Sequence, residues 1–422
     1  MGLLPEGKDA RFNFIVGLLN GVIFTFGMAF MDATTVLPVF IKRYTTSDTI
    51  VGLASALHRA GWHLPQLFVA SYLERKPLKL GVYLRANMIR MILIWCFILL
   101  LALYGTTYPG WVIFGYLAFL GVASIFGGIA GLPFTDIVGK VIPRSHTGIF
   151  YAIRFFFGAG ILSILAGVIV EYVLRIDSPF VFPQNYVLLF SLAAGFMCLG
   201  IFATSFMREP EGKVSETKRS VGQFFREIPI LLRADANFQT LLIVQVLASG
   251  IGFSLPFYVV FAREYFLVPE SMAGLFLVTQ TIGFGLSNVA WGRISTRYGN
   301  RQVITGTAVC LLLIPTLALV LAFVTFESYD MTWLFYPIFF LIGATSAGTF
   351  IGFKSYILDI APEDRRPTYI GITNTVMGFA ALFPALGGVM ADLVSFEGVF
   401  VVSGGFVAVG AMWSLKLKRI HH

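Results

Sequence analysis

Apolar residues in this chain come in long runs, broken by short polar stretches, with little alternation at the spacing of a strand. About 20 consecutive apolar residues span a bilayer core as a helix, where the backbone must satisfy its own hydrogen bonds. Runs of that kind occupy residues 12 to 40, 49 to 73, 81 to 104, 110 to 138, 148 to 173, 185 to 206, 238 to 262, 270 to 295, 302 to 326, 332 to 358, 367 to 393 and 396 to 415. The pattern predicts an all-α polytopic membrane protein with twelve transmembrane helices. The first run, from Phe12 to Phe40, is too long for a signal-peptide core and has no small-residue cleavage site, so it is expected to remain as a helix.

The polar stretches divide the runs into two sets of six. Residues 207–237 form the longest one, with charges of both signs and Pro210, Gly212 and Pro229. The flanking halves repeat one another. ASYLERKPLK, from Ala70 to Lys79, matches GRISTRYGNR, from Gly292 to Arg301, at an offset of 222 residues. Asp48 and Gly52 match Glu270 and Gly274 at the same offset, and AGVIVEYV (166–173) matches GGVMADLV (387–394) at 221. So steady an offset implies parallel repeats. Two pseudo-symmetric six-helix bundles are therefore expected, residues 1–206 and 238–422, joined by a cytoplasmic linker at 207–237.

Composition supports a membrane location. The chain is 57% hydrophobic and 12% charged, against about 25% charged in ordinary soluble domains. Its net charge of +8 could suggest nucleic acid, but the basic residues punctuate apolar runs and form no continuous solvated face. Twenty-two of the 30 lysines and arginines fall in connections on one side, and four on the other. By the positive-inside rule both termini face the cytoplasm, in a multi-pass protein of the cytoplasmic membrane. Cys96, Cys198 and Cys310 sit singly in apolar runs, so neither a disulfide nor a metal site is expected. There is no GxxxxGK[ST] loop, and no cofactor is expected.

The duplicated basic turn carries a resemblance. After its second and eighth helices the major facilitator superfamily has a loop of glycine, three residues, aspartate, a basic residue, any residue, glycine, any residue and a basic residue. Gly292, Arg297, Gly299 and Arg301 match it, with Thr296 in place of the acid; Glu74, Arg75 and Lys79 match in the first half, with Ala70 and Pro77 in place of the glycines. The chain thus resembles this superfamily over its whole length. The resemblance implies a secondary transporter working by alternating access, expected as a monomer. It also implies a cytoplasmic gate in which Arg75 pairs with Asp136 and Arg297 with Asp359, while Ala70 and Gly292 allow close helix contact. The superfamily's proton antiporters carry an arginine in helix four, yet Trp111 to Gly131 holds no charge, which argues against a simple drug–proton antiporter.

Ionisable groups at membrane depth are costly and point to function. Rising about 1.5 Å per residue, Asp32 lies roughly 9 Å and Arg59 roughly 13 Å below the same helix ends. The two are expected to pair, with His58 nearby, as a proton-coupling or cavity site to which Arg154 is added because the superfamily's fifth helix lines its cavity. In the second half Gln245, Gln280, Asn288 and Asn374 are the polar candidates for contact with a small-molecule substrate. The aromatic-rich composition leans toward export of hydrophobic or amphiphilic compounds, with proton-coupled uptake of an organic anion as the alternative. A polytopic lipid-modifying enzyme is a remote third reading.

Overall fold

The computed structural model describes residues 4–73, 75–212, 228–229, 231–323, 331–362 and 365–420, and within them every apolar run is helical. Among the described residues eleven helical stretches are long and apolar enough to cross a membrane. The twelfth run is a broken one. Helix α3 (Asp48–His63) stops and α4 (Pro65–Leu73) begins one residue later. Pro65 offers no N–H to the preceding turn and disfavours helical geometry at Leu64.

The first run is also interrupted. Helix α1 (Lys8–Ala29) ends before the polar group Asp32, Thr34 and Thr35, and α2 (Val36–Lys42) resumes after it. Helix α5 is Leu80–Tyr104. Helix α6 (Pro109–Gly115) passes through a π-helical turn, Tyr116–Leu120, into α7 (Gly121–Val141). Helix α8 (Arg144–Arg154) likewise continues as a π-helical stretch, Phe155–Leu162, before α9 (Ser163–Leu174); α10 is Gln184–Thr204. In the second half, α11 (Ala236–Ala248) and α12 (Phe257–Phe266) flank a 3-10 turn at Ser249–Phe253. Helices α13 (Met272–Tyr298), α14 (Asn300–Phe323) and α15 (Tyr336–Ile360) follow, then α16 (Arg366–Ala380), α17 (Phe383–Leu393) and α18 (Phe396–Ser414).

These helices form two compact units. The first comprises Met1–Asp32 and Leu57–Val221, the second Ala33–Ala56 and Gly222–His422. The segment Ala33–Ala56 therefore belongs by its packing to the unit built mainly from the second half of the sequence.

In the first unit α1 packs along α10. Asn20 donates to Gly200 O at 2.9 Å, and Asn13 exchanges two bonds with the Arg208 backbone, at 3.0 and 2.8 Å. A methyl group at Gly27 would meet Ala193 O at 2.7 Å, so small residues set this approach. In the second unit the closest crossing is α13 against α15. A Cβ at Gly343 would lie 1.8 Å from Gln280 O, and one at Gly283 would lie 2.2 Å from Phe340 O. Trp291 anchors the same pair lower down, donating from Nε1 to Ala344 O at 2.9 Å.

Candidate functional site

Within the first unit, Asp32 and Arg59 lie inside electrostatic reach of each other. His58 points to a different neighbour: its Nδ1 is 3.3 Å from Ser124 Oγ on α7. Consecutive helical residues point about 100° apart, so Arg59 and His58 serve different faces of α3.

Arg154, at the end of α8, folds into a notch at Gly21 of α1, where an added Cβ would come within 2.3 Å of its stem. Its guanidinium lies 4.5 Å from the Phe134 ring centroid. Arg90 on α5 is buried, 6% exposed, beside Gly127 and 5.4 Å from the Phe24 ring centroid. Tyr83, also buried, lies within electrostatic reach of both arginines, and its hydroxyl accepts from Asn20 Nδ2 at 3.3 Å.

In the second unit the four amide candidates diverge. Gln280 Oε1 accepts from Thr34 Oγ1 at 2.8 Å, which ties α13 to the Ala33–Ala56 segment. Asn288 donates to Phe284 O, one turn back on its own helix, at 2.8 Å. Asn374 is half-buried on α16, and Gln245 is half-buried on α11 with a buried Oε1 that makes no hydrogen bond among the described residues.

The densest ionic cluster lies at the end of the second unit where α2 meets α3. Lys42 Nζ contacts Asp48 at 3.1 Å and Glu264 at 2.6 Å. Arg43 Nε donates to both carboxylate oxygens of Glu270, at 3.0 and 2.9 Å. Asp392 on α17 accepts from Ser47 Oγ at 2.8 Å, Asp48 N–H at 2.7 Å and Thr49 N–H at 2.9 Å. The first amides of a helix have no partner within it, and here another helix supplies their carboxylate cap.

At the ends carrying the duplicated turn, the expected pairings give way to others. Asp136 is met by Lys79 at 2.8 Å and Lys140 at 3.2 Å, while Arg75 is exposed. The two lysines approach Asp136 from a loop and from one turn further along α7, which leaves Arg75 no part in the contact. Lys140 also reaches Glu209 at 2.8 Å, and Glu209 accepts from the Lys79 and Leu80 amides that open α5. Glu74 lies outside the described residues.

In the second copy Asp359 accepts from Asn300 Nδ2 at 2.7 Å, and Arg301 donates to Leu415 O at 2.6 Å. Arg297 is exposed, with its guanidinium 5.5 Å from the Tyr298 ring centroid. It shares a cleft of about 310 Å³ with Asp359, Arg301 and Arg419. Gly292 has open space where a side chain would go, so it makes no close helix contact. Gly299 ends α13 at φ +89°, a conformation that favours glycine.

The sequence model of the Major Facilitator Superfamily matches residues 240–422. Over that stretch the chain carries the superfamily's sequence pattern. No functionally curated protein matches the sequence. Solved structures similar along the whole chain include a D-xylose–proton symporter, with a TM-score of 0.73 at 14% identity, covering 97% of this chain and 98% of that one. A POT family transporter in complex with a thioalcohol-conjugated peptide has a TM-score of 0.70 at 14% identity, covering 96% and 95%. The nucleoside transporter NupG has 0.66 at 14% identity, covering 98% and 100%. At such identity these establish the fold.

Within this fold two further groups stand out that the sequence reading did not single out: Asp392, which caps α3, and Arg90, which is buried on α5. The signal for the ionic cluster at the α2 end was present in the repeat: Asp48 and Glu270 are equivalent positions, and both are ion-paired. The signal for Arg90 was its spacing from Tyr83 and Asn87, which puts all three on one face of α5.

Proposed function

We propose that the chain is a secondary active transporter that moves a small organic solute across the cytoplasmic membrane by alternating access. Both termini lie on the cytoplasmic side, the bundles 1–206 and 238–422 rock about the 207–237 link, and a monomer suffices. The observation that carries this reading is the end-to-end likeness to a proton-linked sugar transporter. The cargoes named for the similar structures differ, so they support the transport mechanism and leave the solute to this chain's own residues.

The Ala33–Ala56 segment is continuous in sequence with the first bundle but packs within the second unit. Its ion pairs are contacts that alternating access has to break when that end opens. At the opposite ends the charges around Asp136 and Asp359 take the gating role, with lysines serving Asp136 in place of Arg75. Asp32 is the proton-coupling group, and Arg59 is the cation within its electrostatic reach.

Composition alone favours export of amphiphiles. The excess of buried cations over carboxylates in the first unit favours an organic anion as cargo, and that is the reading adopted. The enzyme alternative has against it a family and fold that are those of transporters.

The test is solute movement by purified protein in liposomes. Benzoate, succinate, a pentose and a nucleoside are assayed by counterflow and under an imposed pH gradient. Protein-dependent counterflow of any of them supports transport, and a panel that moves no faster than in empty vesicles counts against it. Asp32→Asn is expected to keep counterflow while losing pH-driven accumulation. An unchanged pH response removes the coupling role.

A further inference from the structure

Three arginines lie within the helical interior of the first unit, Arg59, Arg90 and Arg154, and Asp32 is the carboxylate that reaches Arg59. The other acids on these membrane helices sit near helix ends with partners of their own. Asp136 meets Lys79 and Lys140, Glu171 meets Arg175 at 2.6 Å, and Asp9 meets Arg208. Arg90 and Arg154 therefore have no carboxylate at ion-pair distance among the described residues.

Both guanidinium groups are held without full hydrogen bonding. Arg90 Nε and Arg154 Nη1 are buried and make no hydrogen bond in the described structure. What surrounds them is aromatic: Phe24 beneath Arg90, Phe134 beneath Arg154, with Tyr83 and Tyr151 in electrostatic reach of Arg154. A ring face returns to a cation only a fraction of what taking it out of water costs. Aromatic contact alone leaves a deficit at two neighbouring positions. Moreover, α8 turns π-helical directly after Arg154, an irregularity that is frequent at functional sites.

We propose that Arg154, with Tyr83 beside it and Arg90 behind it, binds the carboxylate of an organic-anion cargo. The proposal rests on the transporter reading and names its substrate class. Arg154 is half-buried and makes the direct contact, since its planar donors fit two carboxylate oxygens at once. Arg90 is fully enclosed and supplies field, not contact. Phe134 and Tyr151 give the cargo's apolar body a surface.

Matched probes test this on the intact protein in detergent: benzoate against benzamide, and succinate against succinamide. The acids are expected to raise the melting temperature in proportion to concentration, because a ligand that binds the folded state stabilises it, and the amides are not. Arg154→Gln is expected to abolish the shift. Arg154→Lys keeps the charge but loses the bidentate fork, weakening binding about tenfold. If Arg154→Gln fails to fold, the lysine variant alone decides: unchanged affinity overturns the proposal. Equal stabilisation by the amides, or no shift from either acid at millimolar concentration, overturns it as well. Liposomes separate the two failures. Movement of the pentose or nucleoside without either acid leaves transport standing and removes the anion site, while no movement of any solute fails the transporter reading itself.

Discussion

Asp48 shows how much a single side chain depends on its surroundings. Burial pushes its carboxyl above the usual carboxylate range, Lys42 pulls it back, and Glu264 and Asp392 push it up again. A state in which α3 is detached from these neighbours returns Asp48 to its ordinary value. The packed state then holds the proton more tightly, so lowering the pH through the interval between the two values favours the packed state, and raising it disfavours that state. Asp48→Asn is expected to flatten this acid-side slope in a melting-temperature series between pH 4 and pH 7, and a slope equal to wild type sinks the assignment. Gly343 makes a simpler case. A methyl there meets the Gln280 carbonyl at 1.8 Å, and backbone cannot step aside as a flexible side chain can. Gly343→Ala is expected to lose about 1–3 kcal/mol through overpacking, readable as a drop in melting temperature; Gly292→Ala, where the space is open, serves as the control and should be near neutral.

At the scale of helices, hydropathy located the spans because a bilayer imposes one length and one polarity on every crossing. It could not locate the irregularities. The break at Leu64 was marked by Pro65, but the π-helical stretches at Tyr116–Leu120 and Phe155–Leu162 change only the winding and leave no compositional trace. Side-chain partners were legible where they are local. Depth on consecutive helices led to matching Asp32 with Arg59, and the structure shows the two within electrostatic reach, whereas Asp136 was assigned to Arg75 although Lys79 and Lys140 are its partners. A turn motif names the residue types in a gate, and loop geometry decides which of them reach. Asp392 was least legible of all, because its partners lie more than 340 residues away in sequence. Its contribution is testable on its own. Asp392→Ala removes all three bonds at the start of α3, and losing a cap costs about 0.5–2 kcal/mol. Amide exchange at Asp48 and Thr49 is expected to accelerate several-fold while exchange in α1 stays unchanged; protection equal to wild type at both amides rules the cap out.

For the whole molecule the duplication has a direct structural consequence at the α2 end. Lys42 and Arg43 are adjacent, and each reaches one of two acids that the repeat makes equivalent: Lys42 takes Asp48 and Arg43 takes Glu270. One short segment thus binds the openings of α3 and α13 together. If these pairs hold the Ala33–Ala56 segment against the second unit, reversing the sign of one partner should loosen it and reversing both should restore it. Arg43 is exposed enough to be partly screened, so its pair is worth about 1 kcal/mol. Thr34, buried beside Gln280, provides a reporter when replaced by cysteine in a background where Cys96, Cys198 and Cys310 are serine. Maleimide labelling at that position is expected to rise about fivefold in Arg43→Glu, the change in opening equilibrium that corresponds to about 1 kcal/mol. The double reversal Arg43→Glu with Glu270→Arg should bring the rate back toward wild type. Labelling that rises in the single variant and stays high in the double would mean that Arg43 acts through packing, and the ion pair would then have no part in holding this end shut.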